Sequence, residues 1–176
     1  MMHSAYSEAA KAAIEHVKRS VRYRGLNRVT NWIRQPLDDP RLKFYAGIQN
    51  HLKGAERSAA YGGSFDAKRF IEQSAQLAID TDTGNCGELS AIALLYLKEK
   101  DVAPLDYFGI KRGFWNHAFV ILNRDDGIPV ADFAAWSYQA VVCDPLYDRA
   151  ADAGHLTTWY GKMFPLKTTD VWYRYA

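Results

Sequence analysis

The stretch Gly84-Asn85-Cys86-Gly87-Glu88, followed by the apolar run 89–97, organises the rest of this chain. Asn85 and Glu88 have the spacing of a capping box, with Asn in place of Ser or Thr, so we expect a helix to begin at or beside Cys86. The run behind Cys86 is apolar on almost every side, which is typical of a helix buried in the middle of a domain. The stretch therefore predicts a rigid, buried helix that presents one cysteine at its N-terminal tip.

Cys86 would occupy a position that makes a thiol reactive. Unpaired backbone N–H groups and the positive end of the helix dipole both favour the thiolate at a helix N-terminus. The competing interpretation is an ordinary buried cysteine, because free cysteine is among the most buried residue types. The turn ahead of the apolar helix favours a nucleophile, and the Cys86 backbone N–H is then expected to form part of an oxyanion hole. Glu88 is best explained as the capping partner of Asn85.

Two strand-like segments downstream carry residues that could serve such a nucleophile. Residues 116–122 are rich in apolar and β-branched side chains, and alternation places His117 on an otherwise apolar face. Residues 141–145 form a second short strand that a proline ends, with Asp144 on a similarly apolar face. Because a buried polar group needs a partner, His117 is predicted as the base, and Asp144 as the acceptor of the His117 Nδ1–H hydrogen bond.

Each of these assignments competes with a structural explanation. His117 can be a hydrogen-bonded core histidine, and Asp144 can simply end its strand before a proline. Cys143 alternates with Asp144, so it is interpreted as a small core hydrophobe on the opposite side. Residues beside the motifs are candidates for a substrate cleft, with core packing as an equal explanation of the aromatic ones: Asn85, Trp115, Asn116, Trp136 and Tyr147.

The three segments in this order resemble the papain-like and transglutaminase-like Cys-His-Asp superfamily. The resemblance rests on G-x-C-G-E with a long apolar helix, on N-H-A-F-V and on a strand that ends in D-P, all within residues 84–148. Within that superfamily the chain is most similar to bacterial effector and toxin domains. Some of these are protein-glutamine deamidases and others are cysteine proteases.

The resemblance implies hydrolysis of an amide through a thioester on Cys86. His117 would take and return the proton, Asp144 would orient the imidazole, and no cofactor is needed. Deamidation of a glutamine in a target-cell protein, a virulence activity, is the first expectation, and a papain-like cysteine protease is the second. A catalytically silent interaction module that retains the fold is the alternative from a different class.

The periodicity of the sequence changes from helical, over about 1–100, to strand-like, over about 104–176. This order predicts a single α+β domain of 176 residues in which the helix bearing Cys86 packs on an antiparallel sheet. Helices are expected over 4–23 and 41–53, and from Ser64 or Asp66 to about Ile79. Strands are expected over 107–110, 116–122, 128–133, 140–144 and 171–175, with an Asp-Gly hairpin turn at 124–127.

Composition excludes several classes of protein. A net charge of +2 gives no nucleic-acid footprint, and 48 % hydrophobic residues are enough for a packed core. No classical signal peptide and no apolar run of membrane-spanning length is recognised. Two cysteines argue against a disulfide scaffold and for a reducing compartment, either the cytosol or a target-cell cytosol reached without a classical signal. Histidine and cysteine lack the spacing of metal ligands, so no metal site is expected, and the oligomeric state is left open.

Overall fold

The computed structural model of this chain describes residues 2–25, 66–113 and 115–176. Within these ranges the long helices are α1 (Met2–Ser20), α2 (Ala67–Thr81) and α3 (Cys86–Glu99). Two short strands, β1 (Tyr23–Arg24) and β2 (Thr83–Gly84), form a parallel pair immediately before α3. The helix expected over 41–53 and the possible cap at Ser64 lie outside the described residues.

The main sheet follows the helices in the chain, so the fold is α+β, as the sequence predicts. Its strands are antiparallel and lie in the order β6-β5-β4-β3-β7. They are β3 (Leu105–Arg112), β4 (Trp115–Leu122), β5 (Val141–Asp144), β6 (Arg149–Asp152) and β7 (Val171–Tyr175). The short helices α4 (Phe133–Trp136) and α5 (Leu156–Tyr160) lie in the connections.

Helices α1 and α3 cover one side of the sheet, which we call the first face. The inward side chains of α3 are fully buried there, together with alternate residues of β3, β4 and β5. This burial confirms the expected packing of the Cys86 helix on the sheet. The members with the least exposure include Leu89, Ala93, Leu97, Leu105, Tyr107, Val120 and Cys143.

The second face carries the other half of each alternating strand. Phe108, Phe119 and Val142 point to this side and pack under the connections that contain α4 and α5. The predicted alternation is therefore confirmed, because His117 shares its face with Phe119, and Asp144 shares its face with Val142. The sheet lies between a layer of long helices and a layer of short ones.

Some of the expected elements differ from the structure. The helix expected over 4–23 ends at Ser20, and Tyr23 belongs to β1. Residues 128–133 do not form a strand, because Pro129 has no N–H to give to a ladder and the Trp136 indole donates to Val130 O at 3.2 Å. The Asp-Gly segment is therefore a turn without a hairpin, in which Asp125 Oδ1 accepts a hydrogen bond from Gly127 N at 2.9 Å. Strand β5 pairs with β4 on one side and with β6 on the other, and not with residues 128–133. The sequence of β6 has no strong alternating pattern.

Helix α2 illustrates a boundary that local chemistry sets. Asp66 Oδ1 accepts a hydrogen bond from the Arg69 backbone N–H at 3.0 Å. Asp66 is therefore the N-cap, as one of the two predicted alternatives had it. The helix ends at Thr81 and is followed by the C-cap Asp82, whose φ of 53° lies in the left-handed region. None of the described helices is both long enough and apolar enough to cross a membrane.

Candidate active site

Cys86 is the first residue of α3, at the position that the capping box predicts. Glu88 Oε2 accepts a hydrogen bond from the Asn85 backbone N–H at 3.0 Å, which is the Glu half of that box. The chain enters the helix tightly, because a Cβ on Gly84 would lie 2.9 Å from Leu89 Cδ2. Only glycine fits this approach without displacing a fully buried leucine.

Two hydrogen bonds attach the tip of α3 to the sheet. The buried Tyr107 hydroxyl donates to Gly87 O at 2.9 Å, and Ser90 Oγ donates to Ala118 O at 3.0 Å. The second bond ends on the residue that follows His117 in β4. Together they fix the thiol of Cys86, which is 7 % exposed, beside the start of β4.

His117 and Asp144 form a buried pair across β4 and β5. His117 Nε2 lies 2.7 Å from Asp144 Oδ2, and the two residues are 5 % and 0 % exposed. The other carboxylate oxygen, Oδ1, accepts hydrogen bonds from the backbone N–H groups of Leu146 at 3.0 Å and Tyr147 at 3.3 Å. These contacts satisfy the charge of a carboxylate that water does not reach.

The nitrogen that Asp144 contacts is Nε2 rather than the expected Nδ1. Sequence spacing brings the two residues together but does not determine the rotamer of the imidazole, which depends on the packing around it. With Nε2 bonded to Asp144, Nδ1 is the ring nitrogen left for exchange of a proton with Cys86. The pairing of His117 with Asp144 holds, and the roles of the two nitrogens are exchanged.

The charge state of His117 reflects its two polar neighbours. Burial lowers the pKa of His117, but hydrogen bonds and charge interactions with Asp144 and Cys86 outweigh burial and raise the pKa to about 9. The ring is therefore protonated at neutral pH. A cationic ring beside a cysteine stabilises the thiolate, which is the nucleophilic form.

Cys86 has a second polar neighbour in Asn116. The thiol donates a long hydrogen bond to the side-chain oxygen, with 3.9 Å between Sγ and Oδ1. Asn116 itself is exposed, so its carboxamide borders the thiol on the solvent side. Of the expected cleft residues, Asn116 thus lies beside Cys86.

The other expected cleft residues have different surroundings. Asn85 is 3 % exposed and caps α3, and Trp136 is fully buried in the core of the second face, so neither side chain is open to a substrate. Tyr147 is 41 % exposed, and its ring lies edge-on to His117 with 5.3 Å between the centroids. The side chain of Trp115 lies outside the described part of the structure.

Tyr160 is a contact that the sequence did not reveal. Its hydroxyl donates to Asp144 Oδ2, and its ring centroid lies 4.9 Å from that of His117. Burial, and then the charge of Asp144, raise the pKa of Tyr160 well above its ordinary value, so the hydroxyl remains a donor. No motif marks Tyr160 in the sequence, because α5 is too short for its pattern to show which face is buried.

Cys143, in contrast, has the environment of an inert thiol. It is fully buried on the first face, and Sγ lies 3.6 Å from Ala10 O. Burial and the charge of Asp144 raise the pKa of Cys143. The interpretation of Cys143 as a core hydrophobe is consistent with this packing.

No protein-family model, curated protein or solved structure matches this chain. Over the three described ranges, no group of three or more His, Cys, Asp or Glu side chains is arranged to hold a metal ion. The chemistry that the site can perform is defined by its own groups. These are a thiol at a helix tip, an imidazole with a raised pKa, and a buried carboxylate that holds the imidazole.

Proposed function

We propose that this chain is a cysteine hydrolase that attacks an amide carbonyl, with Cys86 as nucleophile, His117 as acid and base, and Asp144 as orienting residue. The buried contact of 2.7 Å between His117 Nε2 and Asp144 Oδ2 carries the proposal. It holds the imidazole beside a thiol that is fixed at a helix tip, and it favours the imidazolium form. A carboxylate, a histidine with a raised pKa and a thiol that lie together are more typical of a functional site than of a structural core.

The reaction follows from these positions. Cys86 Sγ attacks the carbonyl carbon, and the backbone N–H of Cys86 at the start of α3 donates to the oxyanion. His117 gives its Nδ1 proton to the leaving nitrogen, which departs as ammonia or an amine and leaves a thioester. His117 then takes a proton from water, whose oxygen attacks the thioester and frees the thiol. Asp144 keeps Nδ1 directed at the reaction throughout.

Glutamine in a protein is the substrate that we propose. This choice rests on the resemblance to effector-type deamidases within the papain-like and transglutaminase-like superfamily. The arrangement supports the resemblance in one respect, since the cysteine helix packs on an antiparallel sheet whose neighbouring strands carry His117 and Asp144. A reducing compartment, the cytosol or a target-cell cytosol, suits the two free cysteines.

The test is incubation of the protein with a lysate of candidate target cells, followed by mass spectrometry of the lysate proteins. We expect glutamate in place of glutamine at a specific position in an intact protein. The change should be absent with Cys86→Ala and with His117→Ala. New chain termini in place of converted glutamines would identify a protease instead. Binding of a lysate protein that survives Cys86→Ala, with no conversion and no cleavage, would identify an interaction module.

A further inference from the structure

Arg149 is held beside the candidate active site by aromatic rings. The centre of its guanidinium lies 5.0 Å from the ring centroid of Tyr147, 4.8 Å from Trp159 and 5.1 Å from Tyr160. All three distances are within the range of cation–π attraction. These contacts hold the guanidinium against the rings, and the Tyr160 hydroxyl also accepts a hydrogen bond from it. A guanidinium has five N–H donors, so others remain for a ligand.

The carboxylates next to Arg149 are already engaged elsewhere. Asp144 is its cross-strand partner in the register of β5 and β6, but both Asp144 oxygens accept hydrogen bonds from other groups. Asp148 pairs with Arg24 at 2.9 Å. Among the described residues, no carboxylate lies within 4.0 Å of the Arg149 guanidinium. Within the described ranges, the site therefore contains a partly buried cation that no carboxylate contacts directly.

The position of Arg149 connects it to the reacting groups. Tyr147 and Tyr160, whose rings lie next to the guanidinium, also contact the ring of His117. Arg149 is therefore separated from His117 by a single layer of aromatic rings. Tyr147 is exposed, and Trp159 and Arg149 are partly exposed. A molecule in solution can therefore reach these three side chains.

We propose that Arg149 binds a carboxylate of the substrate, next to the amide that Cys86 attacks. The remaining N–H groups of one guanidinium match a single carboxylate, which they can hold with up to two parallel hydrogen bonds. The carboxylate comes either from an acidic side chain near the target residue or from the C-terminus of the substrate chain. This inference rests on the proposed function, since it assigns the specificity of the same site.

The experiment uses small alkylating probes, because they need no identified substrate. Iodoacetyl-glycine and iodoacetyl-glycylglycine place a terminal carboxylate at two distances from the reactive carbon. Iodoacetyl-aspartic acid α-amide, with and without a glycine spacer, places a side-chain carboxylate in the same range. The matched neutral probes are the corresponding glycinamides and the asparagine compounds. The rate of alkylation of Cys86 is measured for each probe by mass spectrometry.

In the native chain we expect one carboxylate probe to react about tenfold faster than its neutral counterpart, as a hydrogen-bonded charge pair would allow. Arg149→Gln should remove this preference, so that the charged probe and its neutral counterpart react with Cys86 at equal rates. Arg149→Lys should retain part of it, because the charge remains. The control is Lys98→Gln, which removes a cation stacked on Tyr175 near the far end of α3 and should not change the ratio.

The outcomes separate this inference from the function on which it rests. Equal rates for charged and neutral probes in the native chain, or a preference that persists in Arg149→Gln, would overturn the carboxylate site while Cys86 remains a nucleophile. A neutral probe that alkylates Cys86 no faster than an unfolded cysteine would overturn the proposed function itself. A preference confined to the terminal or to the side-chain series supports the site and identifies the source of the carboxylate.

Discussion

The ring of His117 interacts with a carboxylate through one nitrogen and with a thiol on its other side, and its protonation determines what the site can do. Hydrogen bonding and charge from Asp144 and Cys86 raise its pKa to about 9, from 6.5 for an unperturbed histidine, although burial acts in the opposite direction. A pKa raised on folding means that protonated His117 stabilises the native state. This contribution is full below about pH 6.5 and is lost as pH rises towards 9.

The first prediction is the alkaline limit of activity. We expect amide hydrolysis to fall as pH rises through about 9, because the imidazolium that protonates the leaving nitrogen is lost. Asp144→Asn removes the negative charge beside the ring, so the limit should move to lower pH. The measurement is kcat/KM against pH for the two proteins. An alkaline limit that Asp144→Asn leaves in place would mean that another group controls the rate.

The second prediction compares the two thiols. Iodoacetamide at neutral pH should alkylate Cys86 much faster than Cys143, because Cys86 lies at a helix tip beside His117 and Cys143 is fully buried. Peptide mapping after timed quenching gives both rates in one sample. His117→Ala should slow the labelling of Cys86 and leave Cys143 unchanged. Faster labelling of Cys143 than of Cys86 would contradict the choice of nucleophile.

At the scale of the element, α3 depends on how the chain enters it. Gly84 ends β2, and its missing side chain lets the backbone pass directly over Leu89. A Cβ at this point would lie 2.9 Å from Leu89 Cδ2 and 3.3 Å from Cγ, and Leu89 is fully buried. The tip of α3, and with it Cys86, therefore depends on this glycine.

The third prediction follows from that contact. Gly84→Ala should lower the free energy of unfolding by about 1–3 kcal/mol, because a packed core accepts an added methyl group only with strain. Gly154→Ala is the matched control, since no atom lies within 4 Å of its added Cβ, and it should change stability by less than about 0.5 kcal/mol. Urea unfolding of the two variants and the native chain provides the comparison. Equal stability of the two variants would show that the Leu89 side chain moves away from the added methyl group without a cost in stability.

At the scale of the whole molecule, stability and the proposed chemistry depend on different groups. The cores of the two faces supply most of the burial. Cys86 lies at the tip of α3, where its thiol meets Asn116 and His117, and Cys86→Ala removes a single sulfur atom there. We therefore expect Cys86→Ala to abolish hydrolysis while it changes the free energy of unfolding by less than about 1 kcal/mol.

Asp144→Asn should reduce turnover less than Cys86→Ala does, since an orienting group contributes less than the nucleophile. Melting temperature and turnover, measured on the same preparations, test both statements.

Local patterns in the sequence were sufficient for the parts of the fold whose interactions lie close together in the chain. The capping box of Asn85 and Glu88 determines where α3 begins, and the Asp66 cap determines where α2 begins, because each bond spans three residues. Alternation likewise assigns His117 and Asp144 to apolar strand faces, because successive side chains of a strand point to opposite sides. The approach of His117 to Asp144 follows once β4 and β5 are neighbours.

Only the tertiary structure decided the interactions between segments that are distant in sequence. The choice of Nε2 for Asp144, the Tyr160 hydroxyl on the same carboxylate and the aromatic frame of Arg149 all depend on how α5 and β6 pack beside β5. The burial of Trp136, whose indole donates to Val130 O, likewise depends on tertiary packing. Many such packings are compatible with one pattern of apolar residues, and the free energy of the whole core selects among them.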